Sequence, residues 1–324
     1  MAEPFSLNPH TIRTSAGPGL VFVTGASGLL GRAFVGAAAG KYPLLACHGR
    51  SAFSWPDVET VGLDLTNPER TEQLLRLRNP DIIVHLAADT QLDRCERFPR
   101  EAFELNAGLT ERLARWAAER GGLLIYMSTD AVFDGIHGAY TETDIPVPLN
   151  VYAASKLAGE QAIQKCGAEH LIIRGNIFGW NAQDKQSLAE WALAELKARR
   201  PFVGFSDVIF NPLFVQTLSN LLLALIDKRA RGVVHVGSSD CVSKYEFFRL
   251  LAQEFGLSTE QLKSRASVEL VGRLRRPLNT TLCCSRLENE FGISPPSIAQ
   301  EIARFREQQD SGYVAKLKSS LLSP

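Results

Sequence analysis

Short apolar runs alternate with longer amphipathic segments through the first half of the chain. The runs are continuous in apolar character, which is typical of strands buried on both faces of a parallel sheet. The segments between them have helical spacing, and Asn67-Pro68 places a proline at a helix start. The pattern predicts strands at 20–24, 43–47, 60–63, 81–86 and 123–127, and helices at 29–39, from 68 onward and at 99–119.

Strands that alternate with helices predict an α/β fold, a doubly wound parallel sheet of the Rossmann type. From about residue 171 the pattern is less regular, and it predicts helices near 185–199, 213–228, 243–256 and 296–308 among short strands. We therefore expect a smaller, partly interleaved C-terminal substrate domain. The predicted organisation is a flexible N-terminal extension at 1–18, a dinucleotide-binding domain at 19–174 and a mainly substrate-binding domain at 175–324, with some segments returning to the first domain.

Composition narrows the functional class. The 324 residues carry 35 basic and 35 acidic side chains, and this balance argues against a nucleic-acid-binding protein, which would be basic. No apolar run approaches the ~20 residues of a membrane span. The first residues lack the basic and apolar regions of a secretion signal. We therefore expect a cytoplasmic enzyme without nucleic-acid or membrane partners.

The number and spacing of the cysteines are also those expected of a protein in the reducing cytoplasm. None belongs to a C-x-x-C pair or has a histidine at zinc spacing, so we expect no metal site. Buried free thiols are the simplest interpretation in so long a chain. The six are Cys47, Cys95, Cys166, Cys241, Cys283 and Cys284.

A glycine-rich turn follows the first predicted strand, with the spacing G-x-x-G-x-x-G from Gly25 to Gly31. Glycines let the backbone turn tightly and approach a pyrophosphate at the N-terminus of the next helix. Because the turn lies between a strand and a helix, it predicts nucleotide binding. The predicted contacts here are Gly25, Ser27, Gly28, Leu29, Leu30 and Gly31.

The end of the second predicted strand indicates which nicotinamide cofactor is used. An acidic residue there binds a ribose 2′-hydroxyl, whereas an arginine accommodates a 2′-phosphate. Residues 45–56 contain no Asp or Glu, but they include Arg50. We predict NADPH, with NADH as an alternative cofactor and a solvated arginine as the alternative interpretation of Arg50.

Further cofactor contacts are predicted at the ends of the third and fourth strands. Asp64, followed by Leu65, either accepts from an adenine amino group or caps the next helix. Ala87 and Ala88 are small and leave room for a cofactor. His85 is interpreted as a packed histidine rather than a base.

The clearest catalytic pattern is Y-x-x-x-K, Tyr152 to Lys156. On a helix these positions share one face. A neighbouring ammonium lowers the pKa of a tyrosine, which can then deliver a proton to a carbonyl oxygen as hydride reaches the carbon. Lys156 can also hold the nicotinamide ribose. A hydroxyl near the carbonyl completes such a set, and Ser128 and Thr129 are the candidates.

These motifs resemble those of extended short-chain dehydrogenase/reductases, and most closely those of the dTDP-4-dehydrorhamnose reductase family. The resemblance covers about residues 20–310. It is carried by S-T-D-A-V-F-D-G at 128–135, by Y-T-E-T-D-I-P-V-P-L-N-V-Y-A-A-S-K-L-A-G-E at 140–160, and by R-P-L-N at 276–279.

The resemblance implies an NADPH-dependent reductase of a nucleotide-linked 4-keto-6-deoxy sugar in carbohydrate biosynthesis. It assigns Thr129 as the catalytic hydroxyl, Tyr152 as proton donor and Lys156 as its partner. Asn106 matches an asparagine that supports the active site and is grouped with the cofactor-binding residues. Ser128, Asn176 and Arg276 are expected at the substrate, with a structural role as the alternative for Arg276. A homodimer is also expected from the superfamily.

The second half departs from familiar patterns. The segments 180–185 and 204–212 do not map onto a known sugar site, although 204–212 is a candidate loop lining the substrate cleft. A relative in this family is the regulatory subunit of methionine adenosyltransferase. A non-catalytic regulatory or binding protein is therefore the alternative function, and a sugar-nucleotide epimerase is an alternative within the enzyme class.

Overall fold

A seven-stranded parallel sheet forms the centre of the protein. The computed structural model describes residues 19–183, 185–267 and 276–319. Within them the strand order is β3-β2-β1-β4-β5-β6-β11. The strands are β1 (Val21–Thr24), β2 (Leu44–His48), β3 (Glu59–Gly62), β4 (Ile82–His85), β5 (Leu123–Met127), β6 (Glu169–Arg174) and β11 (Gly232–His235).

Both faces of the central strands are buried, which explains their continuous apolar character, whereas edge strand β3 exposes Glu59 and Gly62. Along β1, Val21 and Val23 belong to one apolar cluster and Phe22 belongs to another. The cluster containing Phe22 also includes residues of helices α2 (Pro68–Arg78), α5 (Leu109–Arg120) and α6 (Val151–Cys166). The first cluster includes α1 (Leu29–Ala38) and helices from the second half of the chain. The predicted doubly wound α/β fold is therefore confirmed.

The second half of the chain builds short strand pairs and helices beside the carboxyl ends of the sheet. The pairs are β7 (Ile177–Phe178) with β10 (Leu213–Phe214), β9 (Ile209–Phe210) with β12 (Val242–Ser243), and β8 (Phe202–Phe205) with β13 (Leu262–Arg265). The helices are α7 (Leu188–Lys197), α8 (Val215–Asp227), α9 (Lys244–Glu254), α10 (Ser285–Phe291), α11 (Ile298–Asp310) and α12 (Tyr313–Ser319). Between them, β11 pairs with β6 and returns to the large sheet.

The predicted elements agree with the structure within a few residues, apart from one interrupted helix and three short helices that the pattern did not predict. The helix predicted at 99–119 is α4 (Pro99–Phe103) and α5, joined by a π-helical turn at Glu104–Gly108. Such a turn widens the helix by one residue and is common at functional sites. The sequence pattern also missed the short helices α3 (Leu92–Arg97), α10 and α12.

Three further expectations concern the chain as a whole. The predicted extension at 1–18 lies outside the described residues. No helix in the described part of the chain is long and apolar enough to span a membrane. All six cysteines are free; Cys47 and Cys95 are buried as predicted, but Cys241 is exposed, so the prediction of burial is wrong there.

Candidate active site

One cleft of about 2800 Å³ runs along the carboxyl ends of the sheet. This is where open parallel α/β sheets bind their ligands. The predicted residues that line it are Gly25, Ser27, Gly28, Leu29, Leu30, Gly31, Arg50, Asp64, Leu65, Ala87, Ala88, Ser128, Thr129, Tyr152, Lys156, Asn176 and Arg276. Gly25 and Arg276, which are 251 positions apart in the chain, therefore share one cavity.

The glycine turn at one end has the shape of a phosphate cradle. Gly25 has φ +69°, and a Cβ there would lie 2.7 Å from the backbone nitrogen of Ala87. A Cβ on Gly31 would clash with the Gly25 carbonyl oxygen. The turn leads from β1 directly into α1, whose free amides face the cleft end. These backbone features fit the pyrophosphate of a dinucleotide.

Arg50 and Asp64, the residues predicted to contact the adenosine part of a cofactor, both line the cleft and are exposed. The Asp64 carboxylate accepts from the Thr66 amide at 3.0 Å and the Thr66 hydroxyl at 2.7 Å. These bonds, with the nearby Arg50 charge, hold the pKa of Asp64 below its ordinary value. The side chain of Asn67 caps α2, so the alternative that Asp64 caps this helix is wrong.

The Arg50 guanidinium is available to a ligand. No hydrogen bond or ion pair with another residue of the described ranges engages it, and it lines the cleft. A guanidinium fork matches the geometry of a phosphate. The structure therefore leaves the predicted role of Arg50 sterically and electrostatically feasible.

Tyr152 and Lys156 lie on the first turns of α6. The Asn150 side chain caps this helix by accepting from the Ala153 amide at 2.9 Å. The Lys156 side chain is buried, and its Nζ lies 3.9 Å from the centroid of the Tyr126 ring. Thr129 lies near enough to the Tyr152 phenol to lower its pKa, and Thr129, Tyr152 and Lys156 all line the cleft, so the predicted catalytic residues lie together.

The pKa of Tyr152 does not change in the predicted direction. Burial raises the pKa of Tyr152 above its ordinary value, and Thr129 is the neighbouring group that lowers it. Burial also lowers the pKa of Lys156 to about 7, while the Glu160 carboxylate favours its charged form. The expectation of an unusually acidic tyrosine is therefore wrong for the protein alone, because desolvation and the nearby Asp130 carboxylate both raise the pKa of Tyr152. A raised pKa keeps the phenol protonated at neutral pH, which is the form that a proton donor needs.

Asn106 lies in the π-helical turn and does not line the cleft. It is fully buried, and its side chain accepts from the Asp89 amide at 2.8 Å and donates to the Asp89 carbonyl at 3.0 Å. It also donates to Ser155 Oγ at 2.9 Å, and Ser155 donates to the Tyr152 carbonyl at 2.7 Å. Asn106 thus links the loop that follows β4 to helix α6. This matches the expected supporting role, and its grouping with residues that contact the cofactor is not supported by this position.

Ser128 lines the cleft, but its hydroxyl is committed to the protein. It donates to the Glu160 carboxylate. Glu160 forms an ion pair with Arg174 at 2.6 Å, and the two side chains are only 2% and 5% exposed. His235 lies 3.3 Å from the same guanidinium. Ser128 therefore belongs to a buried network that joins α6 to β6 and β11.

Asp130 is the centre of a second polar network beside Thr129. Its buried carboxylate accepts from the Thr129 hydroxyl at 3.1 Å, from Asn176 Nδ2 at 3.1 Å and from the Thr280 hydroxyl at 2.6 Å. The Thr129 oxygen also accepts from the Ala131 amide at 3.1 Å. Because a hydroxyl has one proton, Thr129 is oriented by these contacts and Asn176 is held at the cleft wall.

His85 is a packed histidine, as the sequence indicated. It is fully buried, and its ring nitrogens pair with the hydroxyls of Thr24 at 2.8 Å and Thr110 at 3.0 Å. Burial lowers its pKa to about 3, so it is neutral at physiological pH. Thr24 in turn accepts from the amides of Leu86 and Ala87, each at 3.1 Å. His85 thus orients the Thr24 hydroxyl, which binds the two amides that lie beside the glycine turn.

The segments that the sequence could not assign reach the cleft. Phe205, Val208 and Phe210 line it, as expected for 204–212, although this stretch includes strand residues. Gln183 donates to the Ser27 carbonyl at 3.1 Å and so contacts the glycine turn. Lys244 also lines the cleft, and no local motif marked it because it is 114 residues from Asp130. No group of three or more potential ligands that could hold a metal ion occurs in the described part of the chain.

Comparison with known proteins places the chain in a family. A model of the RmlD substrate binding domain matches residues 20–310. Methionine adenosyltransferase 2 subunit beta of Rattus norvegicus is 33% identical over 283 residues, 83% of this chain and 81% of that protein. The probable low-salt glycan biosynthesis reductase Agl14 of Haloferax volcanii is 30% identical over 286 residues, 87% of this chain and 95% of that protein.

A solved structure supports the same placement. The dTDP-4-dehydrorhamnose reductase of Bacillus anthracis, crystallised in complex with NADP, superposes with a TM-score of 0.80 and 25% identity, covering 90% of this chain and 99% of that chain. The agreement extends over both halves of the protein. The chain therefore belongs to the RmlD family of extended short-chain dehydrogenase/reductases.

Proposed function

We propose that this protein is an NADPH-dependent reductase of a nucleotide-linked 4-keto-6-deoxy sugar. The observation that carries the proposal is the single cleft that joins the glycine turn to Thr129, Tyr152 and Lys156. A relative crystallised with NADP and the Haloferax reductase support the reductase class.

NADPH is the proposed cofactor, and it would supply the hydride when bound. The glycine turn would hold its pyrophosphate, Arg50 its 2′-phosphate, and Lys156 its nicotinamide ribose. Replacing Arg50 by alanine should weaken NADPH binding far more than NADH binding. Equal losses for both cofactors would remove Arg50 from cofactor selection.

The proposed chemistry assigns one task to each of the remaining residues. Tyr152 donates its phenolic proton to the keto oxygen as the carbonyl carbon is reduced to an alcohol carbon. Its raised pKa keeps that proton in place at neutral pH until the oxygen becomes basic. Thr129, oriented by Asp130, positions the oxygen.

The direct test is NADPH oxidation with dTDP-4-keto-6-deoxy sugars. Tyr152→Phe should lower turnover by roughly 100-fold or more, because proton transfer in the transition state contributes about that factor. Tyr245→Phe is the matched control, since Tyr245 lies on α9 and does not line the cleft. Equal activity of wild type and Tyr152→Phe would refute the assignment.

A second candidate function is a regulatory subunit of methionine adenosyltransferase. It is favoured by the 33% identity to the rat β subunit over most of both chains. Under this hypothesis the cleft would bind a dinucleotide without turnover. Co-purification with a methionine adenosyltransferase catalytic subunit, together with no activity on any ketosugar, would favour it over the reductase.

A further inference from the structure

Lys244 lines the cleft and holds its amino group over an aromatic ring. It is the first residue of α9, which Ser243 caps by accepting from the Glu246 amide at 3.1 Å. Its Nζ lies 3.1 Å from the centroid of the Phe210 ring. No hydrogen bond or ion pair with another residue of the described ranges engages this ammonium. Holding a cation in such surroundings is unfavourable unless a ligand offsets it, and burial accordingly lowers the pKa of Lys244 to about 7.

The nearest carboxylate does not neutralise this cation by direct contact. Asp130 favours the charged form of Lys244, but its oxygens already accept from Thr129, Asn176 and Thr280. The carboxylate is therefore fixed in the protein's own network. It contributes negative charge near Lys244 without forming a hydrogen bond or ion pair with it.

A second cation lies close to the first. Ser243, which precedes Lys244, pairs with Ile209, and Asn279 forms a bridge to the same Ile209. Lys244 and Arg276 therefore line one wall of the cleft, where Arg276 disfavours the charged form of Lys244 by electrostatic repulsion. Arg276 is exposed, and no ion pair with another residue in the described part of the chain holds its guanidinium. Two like charges placed together against an apolar wall repel each other until an anion binds between them.

The chemistry of the Lys244 and Arg276 side chains indicates which anion binds between them. A guanidinium can bind two oxygens of a phosphate at once, and an ammonium adds a compact point charge. Phe210 beneath Lys244 excludes water from one side and so strengthens the attraction.

We propose that Lys244 is a substrate-binding residue that, together with Arg276, holds a phosphate oxygen of a nucleoside diphosphate ligand against Phe210. This inference rests on the proposed function, in which the cleft accepts a nucleotide-linked sugar. It adds a specificity-determining cation that no sequence motif indicated.

Binding of dTDP, measured by calorimetry on protein saturated with NADPH, tests the assignment. Lys244→Met keeps the aliphatic stem and removes the charge. It should weaken dTDP binding roughly 10- to 100-fold, the range for losing a charged hydrogen bond, and leave the affinity for thymidine unchanged. Lys263→Met is the control, because Lys263 is exposed on β13 and does not line the cleft. If Lys244→Met does not fold, Lys244→Gln is measured in its place.

The outcomes separate this inference from the proposed function. Wild-type affinity for dTDP in the Lys244 variant would overturn the inference, as would an equal loss for thymidine, since that would indicate altered packing. Failure of the wild-type protein to bind dTDP would also overturn it. Lys244-dependent dTDP binding by a protein that reduces no ketosugar would support the inference while refuting the reductase.

Discussion

Replacing Glu160 by glutamine tests the buried network that joins the catalytic helix to the sheet. The substitution preserves the shape of the side chain and removes its charge. Arg174, only 5% exposed, would then keep a buried guanidinium without its anion. Breaking one side of such a pair costs about 3–5 kcal/mol of unfolding free energy, because the remaining charge is desolvated and uncompensated.

The Glu160–Arg174 pair allows a double-mutant cycle, and the exposed Glu169–Arg231 pair provides a control. Arg174→Met alone should destabilise by a similar amount, whereas the double variant should lose less than the sum of the two. The residual loss in the double variant is about 1–3 kcal/mol, since Ser128 and His235 lose partners. Glu169→Gln breaks the Glu169–Arg231 pair, whose side chains are 64% and 40% exposed, and should change stability by no more than about 1 kcal/mol.

Urea unfolding of the four variants, followed by circular dichroism, gives the free energies. If Glu160→Gln lowers the free energy of unfolding no more than Glu169→Gln does, the Glu160–Arg174 ion pair does not hold α6 against the sheet. Strict additivity of Glu160→Gln and Arg174→Met would equally contradict the reasoning, because coupled partners must give a non-additive cycle.

Two further predictions concern α6. Gly159→Ala should destabilise the fold by about 1–3 kcal/mol, because the new Cβ would lie 2.5 Å from the buried Tyr126 hydroxyl. Gly49→Ala is the control in the same urea assay, since a Cβ there would meet no atom within 4 Å, and it should cause no such loss. Lys156→Met should flatten the pH dependence of stability. The pKa of Lys156 falls from 10.5 to about 7 on folding, so the unfolded chain binds more protons between these values. The wild-type protein should therefore gain up to about 1.4 kcal/mol per pH unit relative to the variant as pH rises from 7 to 8.5, and a constant difference would contradict the burial of this ammonium.

The parts of the site that the sequence predicted are those with short-range signals. The glycine turn and the Y-x-x-x-K pair depend on spacing within one element, and the structure places both at the cleft. The end of β5 indicated Ser128 and Thr129 as the candidate hydroxyls, and only the family resemblance singled out Thr129.

The parts that the sequence did not predict depend on contacts between distant segments. Lys244 lines the cleft because β12 pairs with β9, and Arg174 neutralises Glu160 because α6 packs in the same apolar cluster as β6. The direction of the Tyr152 pKa shift likewise depends on burial, which a helical spacing does not reveal. The π-helical turn at Asn106 keeps the apolar periodicity of its neighbours, so the pattern predicted one uninterrupted helix.

Transfer of deuterium from NADPH that carries deuterium at both C4 positions of the nicotinamide tests the central claim most directly. With a dTDP-4-keto-6-deoxy sugar, the wild-type protein should place the label on the former carbonyl carbon, detected by mass spectrometry and NMR, and Tyr152→Phe should do so roughly 100-fold more slowly or worse. Absence of label in the wild-type product, or transfer at the same rate by Tyr152→Phe, would contradict the proposal that this cleft reduces a ketone with Tyr152 as the proton donor.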